Sequence, residues 1–197
     1  MSSISLIMNK KKILVVIFSI VLPIFLLLLS YQVVLFFTPL TSAQEDVFLF
    51  LEGMGALETE FTELEASHLE DVRKVMVYAD YVFYILLLSL TLVLTAYRKK
   101  RDFVLRLFDY GGKATVGIMI FWGVLSLLFF DFVFASFHKI FFPQGNWIFA
   151  PDSLLIQTFP LEFFVSISRN IFILTLFLGI IFILSAHLYR YVGGDRN

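Results

Sequence analysis

Cysteine is absent from this 197-residue chain. Disulfides, thiolate metal sites and a cysteine nucleophile are thereby excluded, while the redox compartment stays open. Other chemical signatures are missing too. There is no Gly-x-Ser-x-Gly elbow, no His-Glu-x-x-His zinc helix and no glycine-rich phosphate loop. The three histidines and scattered acids follow no recognised ligand spacing, so neither a metal nor an organic cofactor is expected. Excess charge of one sign is also lacking. A formal net charge of −1 gives no global field toward nucleic acid or an acidic substrate.

Apolar side chains are abundant instead. Hydrophobic residues make up 59% of the chain, 25 of them phenylalanine, and mean hydropathy is +0.89. Globular chains are typically about 45–50% apolar. The excess falls in long runs, which makes lipid the solvent for those runs. The expected architecture is a single all-α membrane domain, 1–197, with four transmembrane helices.

The first expected span, 13–37, follows Lys10-Lys11-Lys12. Thr41-Ser42-Ala43 is a faint cleavage signal, but the apolar run far exceeds the roughly 7–15 residues of a signal-peptide core. It therefore reads as a membrane helix, with Pro23 tolerated inside it. The other expected spans are 76–96, 115–136 and 163–187. Between the first two lies 39–75, rich in Glu and Asp, with Phe48, Leu51, Leu57, Phe61 and Leu64 at near-helical spacing. That pattern predicts an amphipathic helical segment at the membrane surface, broken at Gly53 and Gly55. The second connection, 137–162, carries Pro143, Gly145, Pro151 and Pro160 among aromatics. It is too broken to span and too apolar for a free loop, so an interfacial or re-entrant segment is expected. Asp152 or Ser153 is placed to cap a short helix from Leu154.

Orientation follows from the cations. With both termini cytoplasmic, the inner segments hold Lys10, Lys11, Lys12, Arg98, Lys99, Lys100, Arg101, Arg106, Lys113, Arg190 and Arg196. The other side holds only Arg73, Lys74, Lys139 and Arg169. This positive-inside bias puts both long connections on the outer face.

His68 and His138 fall on that face, each adjoining a membrane helix and 70 positions apart. Imidazole is the side chain best suited to move a proton near neutral pH. In a helix, Glu65, His68 and Asp71 stack at three-residue spacing, and a carboxylate beside an imidazole fixes its tautomer. The bland alternative is an interfacial anchor with a chance Asp one turn away. His187 reads as such an anchor. Asp80 and Asp131 lie at shallow depth in the second and third spans, where a functional carboxylate and one that snorkels to the interface are both compatible with the pattern. Arg169 and Asn170 are placed to meet one of these acids or an anionic head group.

Two stretches carry a resemblance. One is Phe61-Thr62-Glu63-Leu64-Glu65-Ala66-Ser67-His68-Leu69-Glu70-Asp71-Val72-Arg73, a His-x-x-Asp-Val signature ahead of a membrane helix. The other is Phe137-His138-Lys139-Ile140-Phe141-Phe142-Pro143-Gln144-Gly145-Asn146-Trp147-Ile148-Phe149, followed by Asp152-Ser153-Leu154-Leu155-Ile156 and Phe159-Pro160. Together they resemble the four-helix bacterial membrane proteins of the Lit family, the lipoprotein intramolecular transacylases. The resemblance implies a diacylated lipoprotein substrate and movement of its sn-2 acyl chain from glycerol to the α-amino group of the N-terminal Cys, leaving a lyso-form lipoprotein. It also implies a multi-pass protein of the bacterial cell membrane with its site at the outer face. On that reading His68, oriented by Asp71, is the base and His138 supplies acid or oxyanion duty. Asn146, Trp147 and Arg169 contact substrate, and the outer phenylalanines house acyl chains. A reading from another class is a non-catalytic membrane partner or lipid-binding scaffold, which would tolerate loss of both histidines. A transporter is disfavoured, because the spans show no buried polar track.

Overall fold

The computed structural model describes residues 3–194; Arg196, counted above among the cytoplasmic cations, lies outside them. The described chain is helical: α1 (Ser3–Phe37), α2 (Ser42–Leu51), α3 (Glu63–Tyr97), α4 (Arg101–Leu128), α5 (Phe130–Phe141), α6 (Leu154–Thr158) and α7 (Leu161–Gly194). No strand occurs among the described residues. Among the described residues, four helical stretches are long and apolar enough to cross a bilayer: Lys10–Phe37, Glu63–Tyr97, Arg101–Leu128 and Leu161–Val192.

Their surfaces identify the solvent. Ile13, Val16, Ile17, Ile20 and Ile24 on α1 are exposed at helical spacing, as are Ile85, Leu88 and Leu92 on α3 and Phe177, Ile181 and Leu184 on α7. Such continuous apolar stripes are unstable against water and natural against lipid. The chain is thus a multi-pass membrane protein. The first turns of α3 carry Glu63, Glu65, Glu70, Asp71, Arg73 and Lys74. Charges at that density do not enter hydrocarbon, so the bilayer-crossing part of α3 is the apolar stretch that follows.

The chain divides into two compact units. Unit 1 gathers Met1–Val33, Phe83–Gly123 and Ile171–Asn197. Its core is built on Phe18, Leu22, Leu26, Leu90, Phe103 and Leu107. Within it α4 and α7 approach closely: a Cβ on Gly112 would lie 2.7 Å from the Gly179 carbonyl oxygen, so only glycine fits.

Unit 2 gathers Val34–Val82 and Val124–Asn170, and so holds both long connections. The two pack on each other as a second core of Val47, Leu51, Leu69, Leu155 and Phe159. The amphipathic segment is α2, opened by a Thr41/Gln44 capping box and closed by a turn at Gly53, whose φ of +78° needs glycine. The short helix from Leu154 is α6, and of the two expected caps Ser153 is the one used, accepting from the Ile156 N–H.

The third span departs from the expected limits of 115–136. Its helix α4 starts at Arg101, because Phe103 and Leu107 are buried at four-residue spacing and make the basic stretch amphipathic. It ends at Leu128. The backbone then leaves helical geometry at Phe129 (φ −138°, ψ 46°) and resumes as α5.

Candidate functional site

Unit 2 places its polar groups with few free choices. At the start of α3, Thr62 and Glu65 form a reciprocal cap: the Glu65 carboxylate accepts from the Thr62 N–H (2.9 Å) and hydroxyl (2.8 Å), and the Thr62 Oγ1 accepts from the Glu65 N–H (3.3 Å). The other Glu65 oxygen accepts from the Leu155 N–H at 2.9 Å, tying α6 to α3. Glu65 is buried. Burial by itself raises its carboxyl pKa, but the hydrogen bonds from Leu155 and Thr62 outweigh that and hold it below the usual carboxylate value. A further tie runs from the Gln44 side-chain amide to the Thr158 carbonyl, at 2.8 Å.

One turn after Glu65, His68 is 91% buried. Its ring meets Phe142 edge-on at 4.7 Å and Phe149 at 5.5 Å between centroids. The His138 ring lies 5.7 Å from the same Phe142 and 4.8 Å from Trp147. The two histidines thus share Phe142 as a neighbour. Burial lowers the pKa of His68 to about 4, with the nearby His138 as the next contribution. Burial also lowers that of His138. Two neutral imidazoles at neutral pH result. The tautomer of His138 is fixed, because its Nδ1 lies 2.8 Å from the Phe134 carbonyl, which only accepts. Nε2 of neutral His138 therefore carries the lone pair.

Asp71 was expected to orient His68 directly. Its hydrogen bonds run elsewhere: it accepts from the Gln144 amide, from the Asn146 amide at 2.9 Å, and from Lys74 at 3.0 Å. Desolvation raises its pKa, and these donors outweigh it, so the carboxylate stays ionised. Asp71 acts on His68 only through space, favouring its charged form. The Asn146 amide also donates to the Ser67 hydroxyl at 3.3 Å. Both bonds fasten the turn after α5, where Gly145 has φ +80°, onto the helix that bears His68.

Trp147 joins the cluster by stacking near His138. Arg169 does not. It is exposed on α7, donates to Ser166 at 3.4 Å and lines an open groove with Leu161, Glu162 and Val165. Sequence reasoning missed Phe142, Phe149, Gln144 and Ser67, and gave Glu65 no role in joining α3 to α6. The Thr62-x-x-Glu65 spacing is a legible capping signal, but the partner amide 90 residues away carries no such mark.

The apolar helices define a multi-pass membrane protein, in which two neutral imidazoles meet around Phe142. Residues 46–164, which include that whole cluster, match the family described as lipoprotein intramolecular transacylase Lit. The chain belongs to this family of lipoprotein-modifying acyltransferases. An uncharacterised protein of Aquifex aeolicus is 30% identical over 131 residues, 61% of this chain and 57% of that relative. Solved structures of the lipoprotein intramolecular transacylase Lit from Bacillus cereus share the fold. One aligns with a TM-score of 0.72 at 20% identity, covering 95% of this chain and 98% of that one. A histidine-to-alanine variant aligns with a TM-score of 0.78 at 19% identity, covering 99% of each.

Proposed function

We propose that this chain moves the sn-2 acyl chain of a diacylglyceryl-modified N-terminal Cys to its α-amino group, leaving a lyso-form lipoprotein. The reaction takes place at the outer face of the bacterial cytoplasmic membrane, with both termini inside. The observation that carries the reading is the pair of imidazoles, buried His68 and half-buried His138, sharing Phe142 in a chain of a transacylase family.

The protons balance on two histidines. The substrate ammonium gives one proton to Nε2 of His138, and the freed amine attacks the ester carbonyl. The C–N bond forms and a zwitterionic tetrahedral adduct results, positive on nitrogen and negative on oxygen. His68 takes the second proton from that nitrogen. As the bond from carbon to the glyceryl oxygen breaks, His138 returns its proton to the departing oxygen, and His68 later releases its own to solvent. One proton remains on the amide. An α-amino group titrates near 7.7–8.0, so transfer to a half-buried imidazole is uphill; the imidazolium formed is correspondingly a strong acid toward the leaving group. Ester and amine share one molecule, so positioning supplies much of the rate and no acyl-enzyme is needed. Asp71 keeps a negative charge near the cation that develops on His68. Trp147 contacts the substrate's head region, and surrounding phenylalanines hold its acyl chains.

The test is incubation of purified protein in lipid with a synthetic diacylated lipopeptide, followed by tandem mass spectrometry. Transacylation leaves the total mass unchanged and moves one acyl chain from glycerol to the α-amine. That shift, lost in His68→Ala and in His138→Ala, is the expected result. Release of free fatty acid would make the protein a hydrolase. No change in a folded sample would favour the lipid-binding scaffold.

A further inference from the structure

We infer that Asn146 is the positioning residue that holds His68 in its Nδ1–H tautomer, so that Nε2 presents the lone pair. The roles of the two ends of the carboxamide follow from its partners. The Asp71 carboxylate only accepts, so the group 2.9 Å from it is the Asn146 NH2 and the amide cannot be turned over. The same NH2 reaches the Ser67 hydroxyl at 3.3 Å. Ser67 and Asp71 are four residues apart on α3 and form one ridge, with His68 beside it. With its nitrogen committed to that ridge, the carbonyl end of Asn146 faces away from Asp71.

That oxygen is buried without a hydrogen-bond partner, and so is Nδ1 of His68. The two side chains are neighbours close enough to influence each other. Two orphaned buried polar atoms in one place are costly unless they serve each other or a ligand. A carbonyl oxygen only accepts, so it can serve Nδ1 only if that nitrogen carries the proton. The opposite tautomer would set two lone pairs face to face. A small rotation of either side chain completes the bond. The chain Asp71, Asn146, His68 then replaces a direct carboxylate–imidazole contact. Orientation is kept, while the buried ring has no adjacent anion to hold it protonated. This commits the Asn146 NH2 to Asp71 and Ser67, so it is not free to donate to the substrate. The catalytic consequence rests on the acyl-transfer reading; the tautomer itself does not.

The experiment is nitrogen NMR on histidine-labelled full-length protein in lipid nanodiscs at pH 7.5, with signals assigned by His68→Gln, His138→Gln and His187→Gln. His138 serves as the internal reference, because its Nδ1 faces a backbone carbonyl. The expected result is a pyrrole-type Nδ1 and a pyridine-type Nε2 for His68. A pyridine-type Nδ1 in the wild type overturns the inference without any variant being needed. In Asn146→Ala and in Asp71→Asn, which frees the carboxamide to turn over, the His68 signal becomes a mixture of tautomers. The transacylation kcat falls by roughly tenfold or more with KM nearly unchanged. A variant that loses activity while His68 stays in the Nδ1–H form also overturns it, and assigns Asn146 to the substrate. A wild type with the expected tautomer but no acyl transfer leaves this inference standing and fails the functional reading alone.

Discussion

Each unit contains a buried carboxylate with a histidine nearby, and the two are built oppositely. In unit 1, Asp109 meets Lys113 at 2.9 Å, His187 at 3.3 Å and Arg190 at 3.9 Å. All three partner side chains are more than two-fifths exposed. One acid there faces a wet group that includes the cations Lys113 and Arg190, an arrangement that neutralises charge and fastens α4 to α7. In unit 2 the histidine is the buried partner and makes no direct bond to a carboxylate. Asp71 spends its oxygens on Gln144, Asn146 and Lys74. The difference teaches what a reactive imidazole requires. Burial with the anion set one side chain back keeps His68 neutral.

The comparison breaks most easily on activity. His68→Ala is expected to lower the rate of acyl migration by about 10²–10⁴-fold, whereas His187→Ala leaves it near the wild-type value. Both are read by tandem mass spectrometry of the lipopeptide. Equal losses would mean that the unit 1 cluster takes part in the chemistry and that the contrast is false.

Stability separates the two carboxylates next. Glu65→Ala removes a helix cap and leaves the buried Leu155 N–H without an acceptor, at a cost of about 2–3 kcal/mol. Asp109→Ala removes one acid from partners that water already reaches, and should cost about 1 kcal/mol. Thermal unfolding of the purified variants in detergent measures both. A larger loss for Asp109→Ala would reverse the assignment of which carboxylate is structurally committed.

How much of this was legible in the sequence depends on the range of the interaction. The spans, the α2 segment broken at Gly53 and the Ser153 cap of α6 are written in local pattern, and the structure has them. Positive-inside counting put both long connections on one face, and they do pack into one unit through Val47, Leu69 and Leu155. The helix break at Phe129 was not legible, because no proline or glycine occurs between residues 124 and 142. The candidate site was legible as a residue set and not as a set of partnerships. Three-residue spacing put Asp71 beside His68, yet the better-placed donors come from Gln144 and Asn146, more than 70 positions away. Arg169 was grouped with the site on charge alone, and the structure leaves it on the surface of α7.

The pH dependence sharpens the contrast further. His68 titrates near 4 in the folded protein, below the usual 6.5. Between those values the unfolded chain binds a proton that the folded one refuses. Stability is therefore fully present above about pH 6.5 and is lost as the pH falls toward 4, by about 2 kcal/mol on reaching pH 5. Asp71 and Glu65 have depressed pKa values, so their contribution disappears only at still lower pH. Melting temperature against pH should bend downward below 6.5 in the wild type. His68→Gln should reduce that bend, leaving the part that His138 contributes and the acid limb of the carboxylates. Phe142→Ser, which admits water to the ring, should narrow the window by returning the His68 pKa toward its ordinary value. An unchanged curve in His68→Gln would show that the ring is not held neutral by burial.

The smallest effect tests the other half of the comparison. Lys113 is 54% exposed and bonds Asp109 across one helical turn. Water screens such a pair, and ordering two long side chains offsets much of the attraction, so Lys113→Ala is expected to cost about 0.2–1 kcal/mol. Added salt should shrink even that, because the cations around Asp109 lie within reach of mobile ions. The bonds of Glu65 are buried and should not respond to salt in the same range. A Glu65→Ala deficit that holds constant from low to high salt, beside a Lys113→Ala deficit that fades, separates a wet neutralising cluster from a dry positioning one. If both fade together, solvent reaches the unit 2 polar groups, and His68 loses the dry setting that its low pKa depends on.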